Sequence, residues 1–238
     1  MSRLFRRKPP QPQPQEVAGQ WSSSTPEDSA RVVKVLELLR AKNERTVKDI
    51  EELYAADYGN GESADNPGGY HQRADLLIDR FRPQPAVIYH PGSHLDLGVA
   101  KRHPHTRVMH VDKEQWVIDL MQQGGYEAHA ADHNQFIPDT AADVTILFNA
   151  GRIPNDQLLK VTQHDGLVVV NNYHYAATYM ALDCPDFKLV GAIEPDDPLT
   201  ILSDFDMSRL GVIPAPNEIV WPAYADTIFA FQRQASAQ

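Results

Sequence analysis

Apolar residues recur along this chain at two different spacings, and the change from one to the other divides it. Over 26–56 they fall at Val32, Val35, Leu36, Leu39, Val47, Ile50, Leu53 and Tyr54. Steps of three and four place them on one face of a helix, and the polar stretch 41–45 makes this either two helices or one long bent one. Thr25, Pro26, Glu27 and Asp28 supply an N-cap, a first-turn proline and acids at the positive end of the dipole. A turn-rich loop runs from Gly59-Asn60-Gly61 through Pro67-Gly68-Gly69. A short helix is then expected over 70–81, with Leu76, Leu77 and Phe81 on one side, ended by Pro83 and Pro85.

From Ala86 the pattern changes. Short apolar runs at 86–90, 107–111, 127–131, 143–148 and 166–171 alternate with amphipathic segments at 95–102, 113–123, 155–162 and 173–182. Strands that are apolar throughout and separated by helices belong to a parallel sheet covered on both faces. Two further strands, 187–193 and 227–233, flank a loop-rich stretch holding Pro195, Pro198, Pro214, Pro216 and Pro222. The expected architecture is α/β: a doubly wound, mostly parallel sheet over 70–238, preceded by a helical extension and loop over 25–69. Residues 1–24 read as a disordered arm, basic at its tip and then rich in proline and glutamine.

Composition narrows the function classes. The chain has 238 residues, 42% hydrophobic and 23% charged, enough to bury a full core. Its net charge is −10; Arg3, Arg6, Arg7 and Lys8 contribute +4, leaving −14 for the rest. A body that acidic is a poor non-specific binder of nucleic acid. No apolar run is long enough to span a bilayer, and no secretory signal is legible. A single cysteine, Cys184, allows no internal disulfide and no cysteine-based zinc site, and fits a reducing cytoplasm. The apolar stripe over 26–56 suits packing on the chain's own domain, the commoner use of such a stripe, or a protein partner docked on the N-terminal helices.

Ligands of open parallel sheets bind at the carboxyl ends of the strands, near the point where strand order reverses. The first strand ends in Tyr89-His90-Pro91-Gly92-Ser93-His94-Leu95-Asp96, where Gly92 and Ser93 let the backbone approach a ligand and Asp96 caps a helix or holds a ligand. The second ends in Asp112 and Lys113. Asp112 follows Gly92 by 20 residues, the interval at which an acid takes ribose hydroxyls, and it equally suits a helix N-cap. The third ends in Asp132 and His133, the fourth in Asn149 and Gly151, and the fifth in Asn171-Asn172-Tyr173-His174. His90 and His174 are the candidate general bases, because imidazole titrates near neutrality. Four histidines fall at strand ends without the spacing of a metal motif, so no metal is expected.

This series resembles the class I S-adenosylmethionine-dependent methyltransferases over about 70–233. The resemblance rests on a glycine turn after strand one, acids ending strands two and three, and a late antiparallel strand, with 226–233 as the last strand beside strand five. It implies a seven-stranded sheet and S-adenosylmethionine as cofactor, held by Tyr89, His90, Gly92, Ser93, Asp112, Lys113, Asp132, His133 and Asn149. Within that set Asp112 lies on the ribose, and Asp132 and His133 near the adenine. Tyr89 stands where the family carries an acid, only Gly92 remains of its glycines, and no Pro-Pro-aromatic sequence follows Asn149. Three readings follow: methyl transfer to a small molecule or protein, a catalytically inactive binding or scaffold module on the same fold, and a nicotinamide-dependent oxidoreductase. The missing G-x-G-x-x-G weighs against the last.

Overall fold

The computed structural model describes residues 69–148, 150–211, 213 and 222–235. The basic arm, the helices expected over 26–56, the loop before Gly69, Asn149 and Trp221 lie outside the described residues. The described elements run α1 (Tyr70–Phe81), β1 (Val87–Pro91), α2 (Gly98–Arg102), β2 (Arg107–Asp112), α3 (Gln115–Gln123), β3 (Glu127–Ala130), β4 (Ala142–Leu147), α4 (Asn155–Val161), β5 (Thr162–Asn171), α5 (Ala176–Asp183), β6 (Phe187–Ile193), a 3-10 turn (Met207–Leu210) and β7 (Ile228–Arg233).

The seven strands form one sheet in the order β3-β2-β1-β4-β5-β7-β6. Neighbours from β3 to β5 are parallel. β7 inserts antiparallel between β5 and β6, pairing Val169 with Ala230 and Ala192 with Phe229. This is the doubly wound sheet and late antiparallel strand expected from the sequence. Strand order reverses between β1 and β4, so the crevice for a ligand opens at their carboxyl ends.

Successive strand side chains alternate between two apolar layers. On one face Ala74, Leu77 and Ile78 of α1 and Val99 of α2 pack against Ile88, Val144, Ile146, Val169 and Ala230. On the other, Leu158 of α4 and Ala177 and Met180 of α5 pack against Leu147, Val168, Val170, Phe229 and Phe231. Both faces are covered, which is why β5 has an uninterrupted Leu167–Val170 run instead of alternating polarity.

Helix starts differ from their expected positions for local reasons. α2 begins at Gly98 instead of 95, because His94 adopts φ 45 and Leu95 and Leu97 turn into the interior first. α5 begins at Ala176 instead of 173, because Tyr175 sits in the left-handed region at φ 58. β5 begins at Thr162 instead of 166; a register shift opposite Ala142 and Val144 absorbs the extra residues.

Candidate functional site

The loop leaving β1 is fixed by backbone bonds first. Gly92 N–H donates to the Val111 carbonyl at 2.7 Å, which extends the β1–β2 ladder past the strand. Gly92 has φ +62, and a Cβ there would lie 3.2 Å from the Ala150 Cβ. Backbone conformation and close approach therefore both select glycine. Ala150 follows β4, so this turn sits at the reversal point of the sheet.

Asp112 then joins two turns. Its Oδ2 accepts from His94 N–H and its Oδ1 from Glu114 N–H, both at 2.9 Å. The side chain is buried, and each oxygen keeps a second lone pair. One carboxylate thus braces the segment entering α3 and ties it to the glycine turn. Ser93 is buried beside it, and its Oγ has no hydrogen-bond partner.

The loop after β3 lies close by. Asp132 is exposed and its Oδ1 accepts from Asn134 N–H at 2.9 Å. His133 is half-buried. Burial lowers its imidazole below the ordinary value, while Asp132 and Asp112 pull it upward and Lys113 lowers it further, so all four groups share one electrostatic neighbourhood. Tyr89 completes the group from beneath. It is fully buried, and its ring stacks on Phe136 at 6.0 Å and 18°. Its hydroxyl has no partner, and burial, then Asp132, raises the phenol above its usual range.

The structure therefore brings together Tyr89, Gly92, Ser93, Asp112, Lys113, Asp132 and His133. His90 points the other way, into the α1 layer, and is wholly buried. His174 is exposed after β5 with its ring edge against Tyr173 at 5.0 Å. Among the described residues, no group of three or more histidine, cysteine or acidic side chains is arranged to hold a metal ion. Cys184 is buried, and burial, with Asp183 and Asp186 adding to it, pushes its thiol up to about 12.

Behind the turn lies a cluster that strand periodicity conceals. His90 and His110 are register partners on β1 and β2, with ring centroids 5.5 Å apart. His71 of α1 donates to Asp96 Oδ1 at 3.1 Å, and His90 Nε2 lies 3.8 Å from Asp96 Oδ2. His110 lies inside an otherwise apolar strand, where the pattern alone marks no site. Its position, two residues before Asp112 as His90 is two before Gly92, is the signal that could have found it.

The strand order and the antiparallel insertion decide the architecture. Both agree with the seven-stranded sheet that the resemblance to the class I S-adenosylmethionine-dependent methyltransferases implies. Solved structures to which this chain is similar include N-methyltransferase NodS from Bradyrhizobium japonicum WM9, at 13% identity over 73% of this chain and 100% of that one, TM-score 0.44. The plantazolicin methyltransferase BpumL in complex with SAH matches at 13% identity over 87% and 99%, TM-score 0.45. The 16S rRNA methylase RmtB matches at 13% identity over 88% and 76%, TM-score 0.48. No protein-family profile and no curated protein sequence matches the chain. Within the described residues, no helix is long and apolar enough to cross a membrane.

Proposed function

We propose that this protein binds S-adenosylmethionine at the carboxyl ends of β1, β2 and β3 and transfers its methyl group to a small-molecule or protein acceptor. The observation that carries the reading is the convergence of the Gly92–Ser93 turn, Asp112 and the Asp132–His133 loop beside the reversal point of the sheet. The chemistry of the donor set fits an adenosine. Asp112 retains lone pairs for ribose hydroxyls after bracing its two amides. The buried Ser93 Oγ is an unpartnered donor and acceptor in the turn. Asp132 is an exposed acceptor at the place assigned to the adenine amine, and His133 lies next to it.

When bound, the cofactor supplies an electrophilic methyl group on a sulfonium. The chain's own task is to bind and align it, because in-line displacement gains chiefly from orientation. Lys113 and Asn149 complete the proposed contacts.

The burial of His90 favours a second reading, a non-catalytic module that binds the same cofactor. His90 faces α1 instead of the mouth, which leaves the exposed His174 as the one candidate base from the sequence that reaches solvent.

Calorimetry with S-adenosylmethionine and its demethylated product tests the common core of both readings. Saturable heat from either ligand is expected, weakened at least about tenfold in Asp112→Ala, since one lost charged hydrogen bond is worth about 1.5–3 kcal/mol. A folded protein that gives no heat with either ligand discards both. Methyl release onto an acceptor panel then separates the enzyme from the module.

A further inference from the structure

The interior behind the glycine turn holds polar groups that the proposed cofactor site does not use. His90 and His110 are both 0% exposed, and all four of their ring nitrogens lack a hydrogen-bond partner. Native interiors rarely leave such groups unsatisfied, because each strands a desolvated donor or acceptor. The groups facing the pair come from every neighbouring element. α1 presents His71, the loop after the glycine turn presents Asp96, and β2 ends in Asp112. Phe148 lies edge-on to His90, and Tyr126 edge-on to His110.

The same groups tie α1 to the turn. Asp96 Oδ1 accepts from His71 Nε2 and from Gly98 N–H at 2.9 Å. A side chain at Gly98 would collide with the His71 ring, so glycine there is what lets the ring seat against the start of α2. Burial raises the Asp96 carboxyl, but His71, His90 and the Gly98 N–H outweigh it and hold the group well below the usual range. The carboxylate is therefore ionised, and His71 is its donor.

We propose that the His71–Asp96 bond is a latch closing the first turn of α1 over two neutral imidazoles, and that proton uptake by His90 and His110 opens it. The closed state excludes water from both rings, and burial lowers them to about 4 and about 3, with His90 opposing charge on His110. Solvated rings titrate near 6.5, so only the open state binds protons in mildly acidic solution. The latch is most stable above about pH 6.5 and weakens progressively below it. Asp96 lies four residues after Gly92, so release loosens the turn assigned to the cofactor. That consequence rests on the proposed function, whereas the latch itself does not.

Amide hydrogen exchange on the full chain without ligand tests the latch. The protection factor of Gly98 N–H, corrected for intrinsic exchange, is expected to fall about tenfold for each solvated histidine between about pH 7.5 and about pH 5.5. Ala230 N–H in β7, which exchanges through global unfolding, is expected to keep a higher factor than Gly98 at both pH values. His71→Phe keeps the ring and removes the donor, and is expected to lose Gly98 protection at both pH values. His110→Phe is expected to remove about one tenfold step of the pH dependence. Ring-carbon NMR of the wild-type chain covers the case in which that variant does not fold, with His90 and His110 expected to stay neutral down to about pH 5. A Gly98 factor that is constant with pH, a Gly98 factor equal to that of Ala230, or a ring titrating near 6.5 overturns the proposal. Calorimetric affinity for S-adenosylmethionine at the two pH values reads the consequence separately. Absence of binding at both overturns the cofactor reading and leaves the exchange result standing.

Discussion

The two halves of the sheet are built differently. In β5, β7 and β6 the ladders are long, and the buried side chains are almost wholly apolar: Val168, Val170, Phe229 and Phe231 on one face, Leu167, Val169 and Ala230 on the other. In β1, β2 and β3 the strands are short, β3 having four residues, and the interior holds His90, His110, Tyr89 and Asp112. The first half gains its stability from apolar area and close packing. The second keeps ionisable groups in low dielectric, which costs stability and makes it the responsive half. Its turn also requires glycine in the left-handed region, whereas the strands of the apolar half require only shape.

Substitutions can sharpen or break that contrast. The largest effect is expected in the apolar half. Phe229→Ala empties a site with 0% exposure where the ring meets Phe205 edge-on at 5.1 Å, and should cost about 3–5 kcal/mol in urea unfolding. Mild acid should act on the polar half. The unfolded chain protonates both histidines near 6.5, while the folded chain does so only near about 4 and about 3. Stability is therefore complete above about pH 6.5 and falls as pH drops below it, by about 1.4 kcal/mol per histidine per unit until the folded values are reached. Unfolding at about pH 5.5 should show a loss of about 3 kcal/mol that a His90→Phe, His110→Phe double variant lacks.

Gly92→Ala comes next. The left-handed conformation costs a side chain about 1–2 kcal/mol, and the methyl would also press on Ala150. A modest fall in stability with a loss of cofactor heat of tenfold or more is expected; unchanged heat would separate Gly92 from the binding site. The smallest effect belongs to the surface. Leu199 is 65% exposed, and Leu199→Ser should shift stability by less than about 0.5 kcal/mol. A larger loss there would show that the exposed apolar residues belong to the stabilising half after all.

Much of the fold was legible because its strands are buried on both faces. The runs at 107–111 and 187–193 carry their own signal, and β6 occupies Phe187–Ile193 as expected. The helix over 70–81 was equally plain, since prolines close it and its apolar positions recur at helical spacing. The starts of α2 and α5 moved through backbone states at His94 and Tyr175, both non-glycine residues with positive φ that no composition rule anticipates. At the site, Gly92 and the acids at strand ends were legible from their place in the alternation. The direction of His90 was not, because one strand presents successive side chains to opposite faces.

The sequence by itself determined the order of strands and helices, the glycine turn and the acid that follows it by 20 residues, since each depends on local pattern and spacing. Tertiary structure alone decided which faces those strands turned toward α1 and which toward α4 and α5. It placed His71, 19 residues before His90, against Asp96, and it set His110 beside His90 through the parallel register. Burial and pairing of ionisable groups are properties of contacts between distant segments. The chemistry of the polar half therefore becomes visible only when the sheet has closed.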